Sequence, residues 1–518
     1  MQPSDFGAPT ALGTFRPQQA EVFEKLLYSG RRVDVAALPT GVGKSLLAWT
    51  YARATQARAV ILTASRALQD QYMRDFAPVG LVDVRGMSNY PCVLERETAC
   101  ADGPCMDGLT CPVKDRCPYF AAVARAVAAP IVVTNYDFWF AHPEGLGKRD
   151  LLILDEAHAV RDNIASAAGA HFNARDLKLP EGSFVDAPLD AWRAWAQAQR
   201  TLAGETLARE SLKGSERRLV RSLWERLSRV AIIPDEALAD WAVDYVPGKF
   251  LSIEPILPQR YTESVLLRGI PKVLLMSATI RPQDLDDLGV EADDRHFWET
   301  GSPFPPENRP VYRIELGFNM NYYTSETNLL YQVAVIDNLI HRRRDRKGII
   351  HSVSYKRAQF LKQHSRFGDM MLAPADWEAR EAVESFKRDP RPRILVSPSV
   401  ETGVDFPYDL AEYQVIAKVP YPNTLSGIAA ARQAADKDYG TKIAVARLVQ
   451  MAGRIVRAAD DSGETFIVDD SVNHLMRRYR TLFPAWFRAA YREASAVDAP
   501  KKFRGGLDKM PVEADDVQ

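Results

Sequence analysis

The run ALPTGVGKS, residues 37–45, has the residue types and spacing of a phosphate cradle. Gly41 and Gly43 let the backbone curl so that amide hydrogens converge on one anion, and Lys44 adds a cation for the outer phosphates. Ser45 offers a hydroxyl to Mg²⁺. Leu38 stands where the usual pattern carries its first glycine. The loop nonetheless sits between the strand-like VDVAAL and the helical LLAWTYARA, the setting such a cradle needs. The chemistry implied is binding of a nucleotide with Mg²⁺.

DEAH, residues 155–158, directly follows the apolar LLIL at 151–154. A carboxylate at the carboxyl end of a strand can hold Mg²⁺ through water, and its neighbour can orient the attacking water. Those roles fall to Asp155 and Glu156. Alone, such a pair is as readily a helix N-cap; downstream of a phosphate loop the catalytic reading displaces it. SAT (277–279) follows VLLM, TGVDF (402–406) follows ILVSPSVE, and QMAGRIVR (450–457) precedes TFIVD. Arg454 and Arg457 have the spacing to share charge stabilisation on a transferring phosphoryl group, although single arginines on helices are usually solvated or salt-bridged. Upstream lies FRPQQ (15–19), where Gln19 can hydrogen-bond adenine from the side; Gln18 beside it carries the same chemistry.

All five cysteines, Cys92, Cys100, Cys105, Cys111 and Cys117, fall in one short window. The N-terminus, MQPSDFGAPTALG, shows no secretion signal, so a metal or iron–sulfur site is favoured over a disulfide scaffold. Four thiolates suit zinc as well as iron.

These residues need a framework, and the composition supplies one. The 518 residues exceed one ordinary core, so two or three domains are expected. At 46% hydrophobic and 26% charged, the chain is no disordered, collagenous or coiled-coil protein. Lys and Arg total 66 against 67 for Asp and Glu, a net of −1, so any nucleic-acid binding must come from local grooves. The longest apolar runs are strand-sized, and no membrane span is expected.

VDVAAL (33–38), AVILT (59–63), PIVVT (130–134), LLIL and KVLLM (272–276) recur in the first half. GIIHS (348–352), RILVS (393–397), YQVIAK (413–418) and TFIVD (465–469) recur in the second. Apolar runs without alternation suit strands buried on both faces, so two doubly wound α/β domains with parallel sheets are expected, 1–300 and 301–499. Their boundary falls at the Pro- and Gly-rich GSPFPPENRP (301–310). Two inserts break the first domain: the cysteine window at 86–120, and 163–268, which reads as mostly helical, with Leu219, Leu223, Leu227 and Val230 at helical spacing. Arg217, Arg218, Arg221, Arg226 and Arg229 crowd the same stretch, as a solvated face or as a nucleic-acid surface. Residues 500–518 read as a frayed tail.

Taken together, PTGVGKS, ILTASRALQDQY, VVTNYDF, DEAH, SAT, TGVDF and QMAGRIVR, with the cysteine window among them, resemble the DinG/XPD-like iron–sulfur helicases of superfamily 2 over nearly the whole chain. The resemblance implies two RecA-like domains, with a cluster domain and a helical arch-like domain inserted in the first. It implies ATP contacts from Gln19, Thr40, Gly41, Val42, Gly43, Lys44, Ser45, Asp405 and Gln450, and coupling through His158, Ser277, Thr279 and Gly403. It implies a [4Fe–4S] cluster on Cys92, Cys105, Cys111 and Cys117, with Cys100 as the alternative ligand. The expected function is ATP-driven 5′ to 3′ movement on single-stranded DNA and unwinding at duplex junctions, by a cytoplasmic monomer of a bacterial or phage-infected cell, in DNA repair. The rival is a DNA-dependent translocase or recruitment module that remodels R-loops or protein–DNA complexes without processive unwinding.

Overall fold

The computed structural model describes residues 1–494 except 96, 104–110, 176, 178–183, 185, 210–211, 213, 376–378, 399–404 and 425, and for 214–215 and 379–380 the backbone alone. Cys105, Gly403 and the tail 500–518 thus lie outside the described residues. The chain divides into two compact units, Met1–Thr300 with Asn423–Tyr439, and Gly301–Pro422 with Gly440–Gln518.

In the first unit the strands, in chain order, are β1 (Val33–Ala37), β2 (Ala59–Thr63), β3 (Val82–Asp83), β4 (Ile131–Asn135), β5 (Leu151–Asp155), β6 (Ala170–Asn173), β7 (Trp241–Val246), β8 (Phe250–Pro255), β9 (Lys272–Ser277) and β10 (Arg295–Glu299). Seven form one parallel sheet in the order β10-β1-β9-β5-β2-β4-β3. β1, β2 and β5 are buried at every residue, as unbroken apolar runs with helices on both faces require. The register sets Ala37 beside Ser277 and Met276 beside Asp155, so three strand ends separated by more than a hundred residues meet at one edge.

The second unit repeats the architecture with β11 (Val311–Arg313), β12 (Gly348–His351), β13 (Met371–Leu372), β14 (Ile394–Ser397), β15 (Tyr413–Ile416), β16 (Glu464–Ile467) and β17 (Tyr491–Glu493). Its all-parallel order is β13-β14-β12-β15-β16-β11-β17.

The stretch 163–268 departs from the helical expectation. Its helices, Leu189–Leu207 and Gly214–Ala231, pack with a three-stranded antiparallel sheet, β6-β8-β7, whose alternating burial in β6 and β8 marks one face as core. Leu223, Leu227 and Val230 face that core, but Leu219 does not, being 46% exposed. Four of the five arginines bond within the first unit. Arg217 caps the carbonyls of Leu207, Arg209 and Leu212, Arg226 that of His171, and Arg229 those of Ala167 and Gly169, while Arg218 pairs with Asp102.

Residues 423–439 were expected within the second domain but fold onto the first unit. Helix Gly427–Ala435 lies against β7 so closely that a Cβ on Gly427 would meet the Val243 carbonyl oxygen at 2.0 Å. Asp244 accepts the Ile428 amide hydrogen, and the buried Arg432 reaches Glu254 at 2.9 Å and Asp162 at 3.4 Å. Apolar periodicity cannot reveal such a crossing, because a buried ion pair holds the segment.

Candidate functional site

The phosphate loop leaves β1 and enters helix Lys44–Ala54. Gly41 and Gly43 take φ of +78° and +90°, a region that favours glycine. A Cβ at position 43 would also meet Gln19 Nε2 at 2.7 Å. Val42 is wholly buried and fixes the loop, whereas the buried Thr40 Oγ1 has no hydrogen-bond partner among the described residues. An orphaned hydroxyl inside a curled loop is what a phosphate oxygen would satisfy.

Gln19 lies against the phosphate loop. Its Oε1 accepts the Arg16 amide hydrogen at 2.7 Å, and its Nε2 donates to the Gly43 carbonyl at 2.9 Å. Buried to 2% exposure, it props the phosphate loop through its Oε1 and one amide hydrogen. Gln18 Oε1 is buried without a partner among the described residues.

At the end of β5, Asp155 is buried and Glu156 adopts φ of +54°, a costly conformation for a residue with a side chain. Glu156 Oε1 lies 3.3 Å from Lys44 Nζ and Oε2 lies 3.3 Å from His158 Nδ1. His158 Nδ1 is in turn 3.0 Å from Ser277 Oγ, which accepts the Thr279 amide hydrogen. One continuous chain therefore runs from the phosphate-loop lysine through DEAH to SAT. Sequence reading named its members but not their order.

It did not single out Tyr72. From helix Arg66–Phe76, the buried Tyr72 hydroxyl donates to Asp155 Oδ2 at 2.8 Å. Burial pushes the Asp155 carboxyl up to about 6, and the neighbouring Glu156 adds to the shift; Lys44 and the Tyr72 hydrogen bond oppose it. In the Mg²⁺-holding role expected of Asp155 a proton would compete with the ion, so hydrolysis at limiting Mg²⁺ should fall about tenfold per pH unit below that value. Tyr72→Phe removes a hydrogen bond to the charged form and should move this acid limb to higher pH. A limb that stays in place, measured by ATPase rate against pH, would remove Tyr72 from the site.

In the second unit, Asp405 accepts from Arg457 and lies 3.8 Å from Arg454, while the Arg457 amide donates to Asp461. The structure thus gathers Asp405, Arg454 and Arg457, with Gln450 one turn before Arg454.

Among the cysteines, Cys92, Cys100 and Cys117 are buried and Cys111 is half-buried. Cys100 Sγ lies 3.7 Å from Cys117 Sγ, and burial followed by this neighbour pushes its thiol up to about 12. A Cβ on Gly103 would meet Cys92 Sγ at 2.9 Å. Among the described residues no three potential ligands are gathered closely enough to hold a metal ion. The donor chemistry fits a thiolate-held group, and among the described cysteines Cys100 stands beside Cys117.

A phosphate loop, an acidic pair and a Ser/Thr pair at three adjacent strand ends define a nucleoside triphosphatase domain of RecA type. The DEAD/DEAH box helicase family model matches residues 16–181, and the model of a helicase C-terminal domain matches 344–490. The chain thus carries segments similar to a DEAD/DEAH box helicase domain and to a helicase C-terminal domain, in keeping with the DinG/XPD-like resemblance of its motifs. A solved structure titled XPD_Helicase is similar at TM-score 0.63 and 12% identity, over 93% of this chain and 100% of that one. The Xpd4 structure of S. tokodaii is similar at TM-score 0.53 and 12% identity, over 93% and 100% respectively. No curated protein matches the sequence. Among the described residues no helix is long and apolar enough to cross a membrane.

Proposed function

We propose that the chain is an ATP-dependent DNA helicase that moves 5′ to 3′ on single-stranded DNA and unwinds duplexes, as a monomer in the cytoplasm of a bacterial or phage-infected cell. The observation that carries the ATPase half is the Lys44–Glu156–His158–Ser277 chain. It links the residue that senses the outer phosphate to a strand end at the far side of the loop. In this reading the loop amides, Thr40 and Lys44 bind the phosphates, and Ser45 and Asp155 hold Mg²⁺. Glu156 holds the attacking water and accepts its proton. Arg454 and Arg457, poised on Asp405, supply positive charge as the phosphoryl group transfers. His158, Ser277, Thr279 and Gly403 relay the change to the DNA-binding surface, and Asp405 and Gln450 complete the ATP contacts.

A [4Fe–4S] cluster held by thiolates of the 92–117 segment would give that subdomain the cross-link its small apolar content cannot. Cys92, Cys111 and Cys117 are the proposed ligands, the fourth being Cys105 or Cys100. The 3.7 Å pair puts Cys100 next to Cys117, closer than thiolates on separate irons of a cubane stand, so it does not choose Cys100 as the cluster's fourth ligand. It keeps zinc as a specific second reading, since four sulfurs about 2.3 Å from one ion stand about 3.8 Å apart. Metal analysis of protein prepared without oxygen should find iron, and Cys100→Ser should lower the iron content if Cys100 ligates. One zinc per chain with no iron would refute the cluster.

Strand displacement tests the helicase reading. A duplex with a 5′ single-stranded tail should be opened with ATP, and one with a 3′ tail should not. ATP hydrolysis without displacement of either DNA duplex, but with displacement of RNA from DNA, would favour the R-loop reading.

A further inference from the structure

Two side chains of the second unit have no use in the fold. Tyr322 and Tyr323 are 91% and 87% exposed, with ring centroids 5.4 Å apart and planes at 90°. The loop that carries them is nevertheless tightly built. Asp470 accepts the amide hydrogens of Leu316 and Gly317, and Asp469 accepts that of Met320, whose side chain is buried. Within the turn, Asn321 donates its amide hydrogen to Thr324 Oγ1, and Tyr323 donates its own to Asn321 Oδ1. A fixed loop that turns two adjacent aromatic rings to solvent has already met the ordering cost that a stacking ligand would otherwise have to offset.

The same sheet edge carries two cations, Arg357 and Lys418, beside the single carboxylate of Asp469. Asp469 also accepts the amide hydrogens of Val419 and Ser471, so its carboxylate is saturated by backbone. Lys418 precedes Val419, and Arg357 follows β12 on helix Tyr355–His364. Burial and the nearby Arg357 push the Lys418 ammonium down, and Arg357 Nη1 is buried with no hydrogen-bond partner among the described residues. Two cations sharing one carboxylate, Asp469, that is already occupied by backbone amides, and a guanidinium nitrogen without a hydrogen bond among the described residues, suit a phosphate. The segments involved follow β11, β12, β15 and β16, which are contiguous in the sheet and present their carboxyl ends there, where ligands of parallel sheets bind.

We propose that Tyr322 and Tyr323 form a base-stacking platform for single-stranded nucleic acid, with Arg357 and Lys418 taking a backbone phosphate on the same sheet edge. The inference rests on the helicase reading and names the residues through which the second RecA-like domain grips its strand. Stacking accepts any base, as a motor requires, yet it demands that a base be present.

The test compares the full chain and its variants on a labelled oligothymidylate and on an abasic strand of equal length, by fluorescence anisotropy. Tyr322→Ala with Tyr323→Ala should weaken oligothymidylate binding about 10- to 100-fold and leave abasic binding unchanged. Tryptophan at both positions should restore it. Arg357→Gln with Lys418→Gln should weaken both strands and lower the salt dependence by about one or two phosphate contacts. Equal loss on both strands, or no loss, in the tyrosine variant overturns the platform. A parent chain that binds neither strand, DNA or oligouridylate, overturns the nucleic-acid reading itself, which is a different result.

Discussion

Lys44→Ala should lower ATP hydrolysis by at least about 100-fold while leaving the fold intact. The Lys44 ammonium pairs with Glu156 at 3.3 Å beside the phosphate loop. Its removal takes away the cation that would balance charge on the outer phosphates. It also takes away one of the influences that hold the Asp155 carboxyl down, so the Mg²⁺ ligand keeps its proton more readily. Both effects act in the same direction. Thermal unfolding should stay near the parent's, and a parent-like rate of hydrolysis would withdraw the site assignment.

Glu156→Gln separates binding from chemistry. The amide keeps the volume and can still approach Lys44 and His158, but it can neither take a proton from water nor hold it. Turnover should fall by about 10²- to 10⁴-fold, the usual worth of a positioned general base. ATP affinity should stay, because the phosphates and Mg²⁺ keep Lys44, Ser45 and Asp155. The variant should therefore collect in an ATP-bound form, visible as slow release of a fluorescent ATP analogue. Unchanged turnover would mean that another group activates water.

The parts legible in the sequence are those whose signal is local. Gly41, Gly43, Lys44 and Ser45 declare a phosphate loop within five residues. Unbroken apolar runs mark β1, β2, β4, β5 and β9, because strands buried on both faces tolerate little else. The two parallel sheets follow from those runs. Strands at or near the sheet edges were not legible: β3 and β13 are two residues long, and β10, RHFWE, is half-exposed and polar. The β6-β8-β7 sheet was hidden inside a stretch whose length was dominated by two helices.

Contacts between distant residues were equally silent. Tyr72 serves Asp155 across 83 positions, and nothing in ILTASRALQDQY distinguishes its ring from a core tyrosine. Gln19 was read from its chemistry alone, which is the same whether the amide faces a base or a loop. Arg432 shows the same limit on a larger scale, since its acids, Asp162 and Glu254, lie more than 170 residues upstream.

The Lys44–Glu156–Ser277 chain is proposed as the core of an ATPase geared to a nucleic-acid strand. ATP hydrolysis by protein prepared without oxygen, measured with and without single-stranded DNA, tests it most directly. Such an ATPase gives slow hydrolysis alone and a severalfold rise when the strand is added, both lost in Lys44→Ala. Hydrolysis that ignores the strand, or that persists in Lys44→Ala, would contradict it.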